Sequence, residues 1–143
     1  MRDIRNRPAT VLRVIYAICL LAGMSTHAAT IWQHGLFWDY GGAVPQLTRA
    51  YWTSLIFLDP LAAILLLAYP RIGLVAALAI ISTDVLHNLW FFEHYHIRLN
   101  WMVWAQFAFL IFVIATFPTA WRGSNSITSR RNPPQQDRLL GSA

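Results

Sequence analysis

The residues able to do chemistry in this 143-residue chain are polar groups set inside long apolar stretches: His27, Asp59, Asp84, His87, Asn88 and Gln106. An ionisable side chain deep in a membrane helix costs about 2.5–3.5 kcal/mol on insertion scales, so each marks a functional position by default. Asp84, His87 and Asn88 stand three and four residues apart and share one face of a helix. Tyr16, Gly23, His27, Thr30 and His34 form a comparable stripe on another. At about 1.5 Å per residue, His27, Asp59, Asp84, His87 and Gln106 all fall between about 17 and 25 Å above one boundary of a ~30 Å hydrocarbon layer. Four segments thus bring polar groups to one slab, and facing them inward is the economical arrangement.

Two carboxylates at one depth would attract a cationic centre, with aromatic residues such as Phe57, Phe91 and Trp104 around its apolar body. This predicts a pocket for a small amphipathic or lipid-like ligand, and acid/base chemistry on such a ligand is its sharper form. The alternative is that the same residues bond one another and fix helix packing or assembly without catalysis. His27 and His87 are level, so axial ligation of one haem is conceivable; the spacings His27 to His34 and His87 to His94 rise only about 10 Å, too little for two haems in one leaflet. A divalent metal could draw on His34, Asp39, Glu93, His94 and His96, whose ligand chemistry suits it although their spacing defines no known cage. The baseline expectation is no cofactor. A proton relay in a carrier is a further alternative, weakened by the lack of visible repeat symmetry.

Apolar runs at 10–32, 50–69, 72–93 and 100–118 must position these residues. Each is near the length that crosses a bilayer as a helix, and only helices satisfy their own backbone there. The composition agrees: 57% hydrophobic and 12% charged, against about 25% charged in soluble domains. The predicted fold is an all-α, four-helix transmembrane bundle. Gly41, Gly42 and Pro45 break the first connection, Pro70 and Arg71 the second, His94 to Arg98 the third, and Pro118 closes the last helix. Asp59-Pro60 leaves the Ile56 carbonyl without its usual donor and predicts a kink.

Arg2, Arg5, Arg7, Arg13, Arg71, Arg122, Arg130, Arg131 and Arg138 lie on one side of such a bundle, Arg49 and Arg98 on the other. That asymmetry predicts cytoplasmic termini and fits a bacterial inner membrane, though an endoplasmic-reticulum membrane obeys the same rule. The basic N-terminus covers 1–9, and a polar, arginine-rich disordered tail is expected over 119–143. The tail's arginines would rest against anionic lipid. These charges flank apolar runs and form no basic stripe, which argues against nucleic-acid binding; the bilayer is the expected partner, with oligomeric state open. Cys19 is the only cysteine, so a disulfide framework is absent. The front end, with Val14 to Met24 and then Thr26-His27-Ala28, has the parts of a secretory signal, but the apolar run continues to Trp32 and reads as a retained helix.

The stretch TDVLHNLWFFEHYH resembles the third helix of the emopamil-binding protein family, where Asp-Val-Leu is followed by a Glu-His pair. WTSLIFLDP is similar to the segment of the related sigma-type receptors in which an aromatic, a Ser and an embedded acid succeed one another, and His27 matches a first-helix histidine of the same EXPERA group. The resemblance covers roughly 15–118. It implies a four-helix fold with a polar pocket open toward lipid, lined by His27, Asp59, Asp84 and Glu93, the acids and histidine handling a proton and a cationic intermediate. The chain departs from that pattern at Ile31, where the isomerase has an acid, and at Ile111 and Ile114, where it has an Asn and a Trp.

Overall fold

The computed structural model describes residues 7–36, 38, 44–96 and 98–131, with 125–131 described by backbone alone. Four helices follow in order: α1 (Arg7–His34), α2 (Gln46–Ala68), α3 (Pro70–His94) and α4 (Trp101–Arg131). All four are long and apolar enough to cross a membrane. No strand occurs among the described residues.

Local chemistry sets the helix ends. α1 stops where Gly35 takes φ 86° and its N–H reaches back to the Ile31 carbonyl at 2.7 Å, a left-handed closure that glycine adopts without a Cβ penalty. α2 and α3 are separated by Tyr69 alone. Pro70 forces that residue out of helical geometry, to φ −132° and ψ 72°, and then serves as the first residue of α3. At the start of α4, the Asn100 side chain accepts the Val103 N–H at 3.2 Å, an N-cap bond.

Two prolines stand inside helices, and Pro118 departs from the sequence expectation that it closes its helix. α2 runs unbroken through Pro60, and α4 runs through Pro118 to Arg131. A helical proline loses one hydrogen bond but already has a helical φ. Past Pro118, Ala120 and Ser124 are buried in the bundle, and a side chain on Gly123 would collide with Ala9 of α1; this packing holds the extra turns. The expected boundary at 118 and disordered tail from 119 are therefore corrected to a helix that reaches 131. Residues 1–6 and 132–143 lie outside the described residues.

The helices form an antiparallel ring: α1 packs on α2, α2 on α3, α3 on α4 and α4 back onto α1, with little contact across the α1–α3 diagonal. Tyr16, Leu20, Ala62, Ala63, Leu66, Leu74, Ala77, Ile81, Val85 and Val113 make the core. Gly73 lets α3 touch the α2 backbone at Leu65 and Leu66, the small-residue contact typical of membrane helices. The outer surface carries Leu61, Ile64, Leu67, Val75, Ile111 and Ile114, all more than half exposed. Such a surface suits hydrocarbon.

Candidate functional site

α1 and α4 clasp at one half of the bundle and part at the other. The clasp is Tyr16: its ring packs edge-on against Phe109 and Phe112, and its hydroxyl bonds Thr116 Oγ1 at 2.6 Å and the Val113 carbonyl at 3.3 Å. Beyond it lies a cavity of about 500 Å³, within the size range of small-molecule sites. On α1 its wall runs from Cys19 to Thr30, and on α4 from Trp101 to Phe109. The α1 stretch corresponds to a depth of about 16 Å. Ala22, Thr26, Met102 and Ala105 line the cavity and are also exposed, so the space opens sideways along the α1–α4 seam.

The polar wall lies opposite that seam. Asp59 of α2 and Asp84 of α3 are 5% and 7% exposed, and both line the cavity with Asn88 and Gln106. Both acids belong to that one wall. Their surroundings differ. Asp84 Oδ1 accepts from Asn88 Nδ2 at 3.2 Å; the same Nδ2 donates to Gln106 Oε1 at 2.8 Å, and Asn88 Oδ1 accepts from Trp52 Nε1 at 3.0 Å. One asparagine thus ties α2, α3 and α4 together and fixes one carboxylate. The Asp59 carboxylate has no hydrogen-bond donor among the described residues. It faces α1 at Gly23, where a Cβ would stand 3.4 Å from Oδ2. His27, one turn further along α1, completes the wall.

Five expected pocket residues, His27, Asp59, Asp84, Asn88 and Gln106, therefore meet at one cavity. His87 does not. It points between α2 and α3, its ring 4.7 Å from Tyr51, 6.3 Å from Trp52 and 5.9 Å from Trp90, with Nε2 buried and unbonded. The level His27–His87 pair that haem ligation needs is thus not brought together, because the two rings face different seams.

The other described candidates lie away from the cavity. His34 stacks on Trp38 and His94 on Trp90, and Glu93 and His96 are exposed. Among the described residues no three His, Cys, Asp or Glu side chains gather as a metal site; Asp39 lies outside those residues. Phe57 and Trp104 point outward, 68% and 61% exposed, and Phe91 packs on Trp52. The aromatic lining comes instead from Trp52, Phe92, Trp101 and Phe109. Trp52 is the main residue that sequence reasoning leaves unplaced: it enters only as the aromatic of WTSLIFLDP, and only the α2–α3 register turns its indole N–H onto Asn88. Comparison of the chain with models of known families, with curated protein sequences and with solved structures finds no match.

Proposed function

We propose that this multi-pass membrane protein binds a small amphipathic, lipid-like ligand in the α1–α4 cavity. A cationic or proton-donating group of the ligand sits at Asp59, and its apolar body lies among Phe92, Trp101 and Phe109. The observation that carries this reading is the contrast between the two acids. If the polar residues served only to hold helices together, His27, Asp59 and Asp84 would bond one another; no such bond is present among the described residues, and the carboxylate of Asp59 faces open space beside Gly23. A buried carboxylate without a donor calls for a partner, and the side opening gives a molecule dissolved in the bilayer a route to it. Two carboxylates and a histidine on one wall also make proton transfer chemically available.

An EXPERA-type relationship with isomerase-like chemistry belongs to the same proposal. The cavity-lining His27, Asp59 and Asp84 support it, and the exposed Glu93 does not. Cytoplasmic termini in a bacterial inner membrane are the orientation and location that the arginine distribution favours. The second reading, a noncatalytic subunit whose polar residues fix packing, is supported by the Asn88 network.

Native mass spectrometry of the detergent-purified protein, with Asp59→Asn beside the wild type, tests the proposal. A wild type that carries a small-molecule adduct, and an Asp59→Asn variant that unfolds at the same temperature without it, are the expected results. An adduct-free wild type, or a variant that fails to fold, would favour the packing role.

A further inference from the structure

The opposite half of the bundle holds a second unsatisfied charge, unrelated to the cavity. Arg13 of α1 is only 4% exposed, and its two protein partners both belong to its own helix: Nε donates to the Ala9 carbonyl at 3.2 Å and Nη2 to Thr10 Oγ1 at 2.9 Å. Nη1 has no acceptor among the described residues. It is not one of the sealed, unbonded polar atoms, which among the described residues are Arg49 Nε and His87 Nε2; the tip of the guanidinium therefore reaches the surface.

No carboxylate among the described residues meets it. The described acids are Asp59, Asp84 and Glu93, all toward the other end of the bundle. Asp59, level with Gly23, is about 15 Å further along α1 by helical rise. A nearly buried guanidinium with no counter-charge is unfavourable. The described charges that share its end of the bundle are also positive. Arg7, Arg71 and Arg122 are exposed there, and Arg71 is held 5.7 Å from the ring centre of Trp121, an aromatic that suits the headgroup level.

We propose that Arg13 anchors a binding site for the phosphate group of an anionic phospholipid, with the exposed arginines of the same end drawing that lipid in. The guanidinium suits this ligand because its donors form a planar fork that matches phosphate oxygens, whereas two of its nitrogens are already oriented by the Ala9 carbonyl and the Thr10 hydroxyl. The apolar outer surface of α1, with Val11, Val14 and Ile18 exposed, offers the acyl chains a continuous path from the same point.

The full-length protein in neutral detergent is mixed with equal amounts of phosphatidylglycerol and phosphatidylcholine and examined by native mass spectrometry. Thermal unfolding is followed in parallel with each lipid and with inorganic phosphate. The expected result is a preference for phosphatidylglycerol of about fivefold or more, with a higher unfolding temperature in that lipid. Both effects should shrink in Arg13→Met, which keeps the bulk and removes the charge. Arg13→Lys, with the charge but no fork, should retain part of the preference and serves where Arg13→Met folds poorly. Equal retention of the two lipids by the wild type, or a preference unchanged in both variants, would overturn the site. Equal stabilisation by inorganic phosphate alone would overturn the assignment to lipid.

Discussion

Replacing Asn88 by Ala should loosen three helices at once. The side chain is 6% exposed, and it bonds Trp52 Nε1, Asp84 Oδ1 and Gln106 Oε1 at 3.0, 3.2 and 2.8 Å. Polar contacts between membrane helices average about 0.6 kcal/mol, so the two that cross to α2 and α4 give a loss of ~1 kcal/mol, and the Asp84 bond within α3 adds about 0.2–0.5 kcal/mol. The substitution also takes the Asn88 acceptor from the half-buried Trp52 indole N–H, which adds about 1–2 kcal/mol. Water entering from the cavity would offset part of that, which sets the expected total at about 2–3 kcal/mol. The assay is equilibrium unfolding in mixed micelles, with helical circular dichroism as the signal and Leu86→Ala as the reference. Leu86 is 67% exposed on the same helix and should change stability by no more than about 0.5 kcal/mol. Should Asn88→Ala fall within that margin of Leu86→Ala, the network does not hold the bundle and the assignment of Asp84 as a fixed carboxylate fails with it.

Other substitutions probe the helix contacts and the cavity. Gly73→Ala should destabilise by about 1–3 kcal/mol, because its Cβ would run into the α2 backbone at Leu65 and Leu66; Gly23→Ala, whose Cβ would meet only Asp59 Oδ2 at 3.4 Å, should be close to neutral, and comparing their unfolding midpoints checks both. Tyr16→Phe removes the hydroxyl that joins Thr116 and Val113 and should cost about 1 kcal/mol in the same assay. Cys19 lines the cavity, so N-ethylmaleimide should modify it more slowly in a Gly23→Leu variant, which narrows that space, than in the wild type. Intact mass against time measures this, and equal rates would mean that the thiol is reached by another path.

How much of the candidate site is legible in sequence depends on which residue is asked about. Asp59, Asp84, Asn88, Gln106 and His27 stand out because a polar group inside an apolar run is rare and depth follows from helical rise alone. His87 satisfies the same two criteria, yet it faces Tyr51 and Trp90 and not the cavity. It follows Asp84 by three residues, so the two share one broad face, and a rotation smaller than the width of that face divides them between two seams. Trp52 has the opposite history: it enters only as the aromatic of WTSLIFLDP, and its role comes from a partner on another helix.

The sequence by itself determined the helical architecture and the four apolar segments, because backbone groups in hydrocarbon must bond within their own segment and that demand is met locally. It also determined how far along its helix each polar residue stands, which needs only the rise per residue. The tertiary structure decided the rest: which faces turn inward, where α1 and α4 part, and how far α4 runs beyond Pro118. Those features depend on the rotation of each helix about its axis and on contacts such as Tyr16 with Thr116 and Gly123 with Ala9. Both are set by pairs of residues far apart in the chain, and no local spacing encodes them.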